Sequence, residues 1–265
     1  MIAFKVVLLA AVLLAGLGGG AFALRRGAGA AANRSLARGN AFAAGIFLGA
    51  GLIHMLPDAA DIWRELGWHY PMAFVLATLA FILMLLFEHV LLPEAHHHVV
   101  HEPAGSTFEP LLEGGREGFG AYVVLAALSL HSLLAGLALG AEDHFASALV
   151  IFLAIMAHKA SAGFALGVSL VRSAMRTRRA WALLAVFAVS TPLGILLGAL
   201  LNVVLDGRPE ELLEASFLAL AAGTFVYVAT FDILRDEFLD PVGRSGKWWL
   251  VCLGAGLMGL LALFV

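Results

Sequence analysis

The chain has 265 residues, of which 62% are hydrophobic and only 13% charged, with a net charge of −3 and a mean hydropathy of +0.94. An ordinary soluble domain carries about 25% charged residues, so a soluble globular enzyme and a disordered chain are excluded; the single cysteine, Cys252, excludes a disulfide scaffold. A transmembrane β-barrel alternates apolar and polar residues and averages less hydrophobic, and no basic surface points to nucleic acid; what remains is an all-α polytopic protein of the lipid bilayer.

Runs of about 20 apolar residues, enough to cross a bilayer, fall near 5–24, 37–57, 71–92, 120–140, 145–171, 180–205, 212–234 and 247–265. They predict eight spans in a single transmembrane domain, 1–265. Met1–Ala23, with Lys5 and Ala21-Phe22-Ala23, also resembles a signal peptide. Arg25 and Arg26 follow at once, and positive charge there favours a retained helix. With both termini outside, 12 of the 16 lysines and arginines lie on inner segments and three on outer ones, Lys159 being within a span. That split satisfies the positive-inside rule.

Span two ends at His54-Met55-Leu56-Pro57-Asp58. His54 and Asp58 are four apart and share a helix face. The pair suits a first metal contact at the outer mouth, where outer acidic residues (Asp61, Glu65, Glu142, Asp143) would also draw cations; a helix-end polar pair is the alternative. Span three ends inside at Glu88-His89, and the loop 93–119 carries His96, His97, His98, His101, Glu102, Glu109 and Glu113. That composition binds borderline divalent metals loosely; a solvated linker is its alternative. Span six carries Ser190-Thr191-Pro192, where proline frees a backbone carbonyl in mid-membrane. Span seven ends inside with Asp232, Asp236 and Glu237.

An internal repeat joins spans four and five. His131-Ser132-Leu133-Leu134-Ala135-Gly136-Leu137-Ala138-Leu139-Gly140 matches the segment beginning His158-Lys159 at six of ten positions, 27 residues on. At 1.5 Å per residue each histidine lies about 16 Å from either end of its span, near the midplane. Ionisable groups at that depth default to function; an interhelical hydrogen bond is the alternative. Gly136/Gly140 and Gly163/Gly167 are small-xxx-small pairs, which predict close packing of the two helices. That would bring His131 and His158 to one ion. Imidazole is a first-choice ligand for zinc and other borderline metals, and Ser132, Ser129 and Ser161 could add weak oxygen ligands.

On these segments the chain resembles the ZIP (Zrt-, Irt-like protein) family of divalent metal transporters. The resemblance rests on eight spans, the His-rich loop after span three, His54-Met55-Leu56-Pro57-Asp58-Ala59, His131-Ser132-x-x-x-Gly136 and His158-Lys159-x-x-x-Gly163. It rests also on Ser190-Thr191-Pro192-Leu193-Gly194-Ile195, Ala222-Gly223-Thr224-Phe225-Val226-Tyr227 and Glu237-Phe238. It implies a 3+2+3 bundle in which spans one to three are related to six to eight by an inverted repeat. Spans four and five would hold the metal, and uptake into the cytoplasm would be the activity.

The chain departs from the family at two places. Members usually carry a glutamate four residues after the histidine of span four, span five or both; here those positions are Ala135 and Ala162. Lys159 stands at the second-metal position, as in one branch of the family, which implies a single-metal site. Moving a divalent ion beside neutral imidazoles and an ammonium is costly, so binding is expected to be weak; weak binding also allows release.

Three readings follow. The first is transport of zinc, with iron, cadmium and manganese open, as substrate and with no cofactor. The second is a degenerate, non-transporting member acting as a metal sensor or assembly subunit. The third, a metal-dependent membrane enzyme, is disfavoured because neither H-x-x-x-H nor H-E-x-x-H occurs within the spans. The Ala/Leu/Gly/Arg-rich usage points to a bacterial cytoplasmic membrane, and a homodimer stays open.

Overall fold

The structure is a computed structural model that describes residues 2–27, 30–86, 90, 115–141, 145–173, 175–201 and 208–263. Glu88, His89, the loop residues His96 to Glu113, Glu142 and Asp143 lie outside the described residues, so those sequence expectations have no structural counterpart here.

Among the described residues the chain is helical and contains no strand. The helices are α1 (Ile2–Arg26), α2 (Ala30–Gly49), α3 (Leu56–Glu65), α4 (Met72–Leu85), α5 (Gly115–Ala141), α6 (Phe145–Arg172), α7 (Thr177–Leu201), α8 (Arg208–Tyr227), α9 (Arg235–Leu239) and α10 (Arg244–Leu261). Among the described residues, five stretches are long and apolar enough to cross a membrane: Val6–Arg26, Arg34–Glu65, Ile151–Arg172, Thr177–Leu200 and Glu211–Leu239. Met72–Leu85 and Val124–Leu137 are shorter apolar helices. The protein is therefore an integral, multi-pass helical membrane protein. Helices suit such apolar runs because in lipid each backbone N–H and C=O must be satisfied within the segment.

Two helices run on through π-helical turns, Ala50–Met55 between α2 and α3 and Val228–Leu234 between α8 and α9. The first carries span two beyond its expected end near residue 57, out to Glu65. Pro57 does not break it; it sits just after the π turn, at the start of α3.

The packing has a paired character. α5 packs on α7 as α6 packs on α1, and α2 packs on α10 as α8 packs on α4. These close approaches rest on glycine: a Cβ on Gly194 would lie 2.1 Å from the Leu133 carbonyl, one on Gly45 2.1 Å from that of Val251, and one on Gly223 2.1 Å from that of Ala77. Gly16 and Gly194, Gly45 and Gly223, and Phe47 and Phe225 are each separated by 178 residues, and the two π segments begin at the same separation. Phe47 and Phe225 meet at the core, ring centroids 4.9 Å apart.

Candidate metal site

The site lies where α5, α6, α7 and α8 converge. His131 on α5 and His158 on α6 point at each other, Nε2 to Nε2 3.4 Å, and both are buried. Two imidazole nitrogens on one tetrahedral zinc, each at about 2.0–2.1 Å, stand about 3.3 Å apart. The observed spacing thus suits two ligands of one ion. The same spacing permits a hydrogen bond if one ring donates, which is the alternative noted above. His158 Nδ1 is buried. Phe225 on α8 covers the pair, its ring centroid 4.2 Å from that of His131 and 5.8 Å from that of His158.

Ser132 and Lys159 follow the two histidines, and they also meet: Lys159 Nζ donates to Ser132 Oγ at 2.9 Å. The ammonium further donates to Thr191 Oγ1 at 2.9 Å and to the Phe187 carbonyl at 3.4 Å, and it lies 3.8 Å from the centre of the Phe187 ring. Ser132 thus sits beside the pair with one lone pair engaged by Lys159. Among the described residues no group of three or more His, Cys, Asp or Glu is placed to hold a metal. The alanines at the expected glutamate positions fill apolar packing instead. Ala162 belongs to the main core cluster, and Ala135 packs against the cluster of Leu8, Val12, Leu139 and Ile155.

The role expected of the repeat's glycines needs correction. They do not pack α5 on α6. A Cβ on Gly136 would lie 2.3 Å from the Thr191 carbonyl of α7, and one on Gly163 2.2 Å from the Gly16 carbonyl of α1. Each copy of the repeat uses its glycines to seat its helix on an outer neighbour, and the opposite faces turn the histidines toward each other.

His54 and Asp58 form the expected i, i+4 pair, Nδ1 to Oδ2 2.8 Å. His54 sits in the first π turn and Asp58 in the first turn of α3. A cavity of about 380 Å³ has a lining that includes Asn40, Val124, Ala165, Arg172, Asp232 and Asp236. Val124 and Ala165 are each seven residues from a site histidine, so these lining residues lie about 10 Å along their helices from the pair. Glu237, expected among the inner polar residues of a path, is buried and held in an ion cluster. It accepts from Arg172 and, at 3.2 Å, from Asn40 Nδ2, and Lys247 Nζ lies 3.4 Å from its other oxygen.

Sequence reasoning did not single out Phe225, Phe187 or the Thr191 hydroxyl as parts of the site. A signal existed for Thr191: a lysine at membrane depth must find acceptors, and a span-six hydroxyl is one of few on offer.

The family model described as ZIP zinc transporter matches residues 2–114 and 92–262, two overlapping stretches that together cover nearly the whole chain. Zinc transporter ZIP2 of Mus musculus is 29% identical over 260 residues, 83% of each chain. Zinc transporter ZIP1 of Danio rerio is 30% identical over 225 residues, 74% of each chain. Fe(2+) transport protein 1 of Arabidopsis thaliana is 29% identical over 246 residues, 82% of this chain and 71% of the relative.

Proposed function

Since the chain belongs to the ZIP family, whose members move divalent metal ions rather than catalyse reactions, we propose that it carries zinc into the cytoplasm through a midplane site formed by His131 and His158. One observation carries this reading: two buried imidazoles, equivalent in an internal repeat, face each other at the spacing of two ligands on one zinc ion. Ser132 is a third, weak ligand through its remaining lone pair. Zinc is the first choice because imidazole suits it; the relatives' names extend the candidates to ferrous iron.

In this reading metal meets His54 and Asp58 at the outer mouth, binds the histidine pair, and leaves by the inner cavity past Asp232. The separation of 178 residues that relates His54 to Asp232 also relates Asp58 to Asp236. The matching helix pairs and glycines support eight spans in a 3+2+3 inverted repeat, with both termini outside a bacterial cytoplasmic membrane. The open inner cavity supports an inward-facing state, reached by movement of α1, α5, α6 and α7 against α2, α4, α8 and α10. Binding is weak because, among the described residues, no carboxylate joins the pair to offset the charge of the ion, and weak binding permits release.

Uptake of radiolabelled zinc into proteoliposomes tests the reading. Flux in the wild type that is lost in the His131→Ala/His158→Ala double variant is expected; equal flux in both would remove the site. The lack of a third His, Cys, Asp or Glu at the pair among the described residues favours a second reading, a non-transporting member that senses metal or assembles with a partner. It requires that the wild type bind zinc and pass none.

A further inference from the structure

A lysine ammonium has three N–H donors, and three acceptors meet that of Lys159: Ser132 Oγ, Thr191 Oγ1 and the Phe187 carbonyl. All three are neutral, and so is the Phe187 ring beside them. Ser132 lies on α5, Lys159 on α6, and Phe187 and Thr191 on α7, so one side chain spans three helices. The acceptors do different things. Ser132 adjoins His131 and draws the charge toward the histidine pair, whereas Thr191 and Phe187 draw it toward α7. Thr191 is fully buried, with 0% of its surface exposed, so water cannot replace its hydroxyl.

We propose that Thr191 is a positioning residue for metal binding: its hydroxyl holds the Lys159 ammonium against α7 and keeps that charge off the imidazole lone pairs of His131 and His158. The inference rests on the reading of that pair as the metal site. The lysine stem has four flexible carbons, and a buried ammonium that loses an acceptor must find another. The acceptor that then remains beside the pair is Ser132 Oγ, on the residue next to His131. An ammonium drawn there opposes a divalent ion at the pair as a like charge, in a medium that screens charge poorly.

The test is a mutant cycle on the full-length chain with His96, His97, His98 and His101 replaced by alanine, so that loop binding does not obscure the site. Zinc dissociation constants are measured by chelator competition and KM by uptake into proteoliposomes. Thr191→Val keeps shape and removes the acceptor; Thr191→Ser keeps the acceptor. Thr191→Val should raise both constants about tenfold, the worth of one charge-assisted hydrogen bond, and Thr191→Ser should stay near the parent. In a Lys159→Met background Thr191→Val should have no effect, an outcome that a merely structural role would not produce. If Thr191→Val does not fold, Thr191→Ala takes its place in the same cycle. An unchanged constant in Thr191→Val, or a loss that persists without Lys159, overturns the inference. A constant that ignores His131→Ala overturns the metal site and this inference with it, whereas one that depends on His131 but ignores Thr191 overturns the inference alone.

Discussion

Ser132 and Lys159 occupy equivalent positions in the two copies of the internal repeat, and they are hydrogen-bonded to each other, Nζ to Oγ 2.9 Å. The preceding equivalent residues, His131 and His158, also meet. Two successive repeat-related pairs at one place mean that the relation between α5 and α6 passes through the site itself. At this position the symmetry is broken, since one copy has a hydroxyl and the other an ammonium. Lys159→Met removes that charge. Zinc affinity should rise by at least about tenfold, since a like charge nearby in a poorly screening site is worth several kcal/mol. The maximal rate of uptake should fall, because tighter binding slows release. Chelator competition and proteoliposome flux read the two effects separately.

Gly136→Ala and Gly163→Ala should each destabilise the protein by about 1–3 kcal/mol, the usual cost of forcing atoms into a packed interface. The added Cβ would lie 2.3 Å from the Thr191 carbonyl in one case and 2.2 Å from the Gly16 carbonyl in the other. Gly18→Ala meets nothing within 4 Å and should be neutral or slightly stabilising, because alanine loses less backbone entropy in a helix. Thermal unfolding in detergent orders the three variants.

Glu237→Ala strips the carboxylate from a buried cluster and leaves Lys247, whose side chain is 6% exposed, with its remaining acceptors, the Glu237 carbonyl at 2.5 Å and a distant Asp240. Removing one partner of a buried ion pair costs about 3–5 kcal/mol, so a large loss of thermal stability is expected. Arg172→Ala should cost less, because the Arg172 side chain is 41% exposed and reaches solvent without its partner. Similar losses in the two variants would contradict this account of the cluster.

The apolar helical character and the repeat-related histidines were legible because both follow from composition, length and a self-match within one chain. The convergence of His131 and His158 followed from that repeat, but the reason given for it did not hold. Glycines at i and i+4 mark a face that packs closely without saying on which helix, and here the partners of Gly136 and Gly163 are α7 and α1. Lys159 was readable as a charge in the site. Its anchors on span six were not, since a contact between residues 32 apart on different helices has no local pattern. Glu237 read as one acid in an inner polar path, and only the three-dimensional arrangement of Asn40, Arg172 and Lys247 assigns it to an ion cluster. The π turns left no trace in hydropathy, because an added residue within a turn changes neither length nor apolarity enough to register.

Ala135→Glu places a carboxylate one helical turn from His131 on the same face. If metal binds the pair, affinity for zinc should rise by about tenfold or more, as a charged ligand joins two neutral ones. Stability should fall somewhat, because Ala135 packs against an apolar cluster. A variant that folds and shows no gain in affinity or flux would favour the non-transporting reading.

The central claim is that one divalent ion sits between His131 and His158. Anomalous diffraction at the zinc edge from zinc-soaked crystals addresses it directly. The account requires a peak about 2.1 Å from both Nε2 atoms, absent from the His131→Ala/His158→Ala variant. Zinc peaks confined to the outer and inner mouths, with the two imidazoles still facing each other at 3.4 Å, would contradict it.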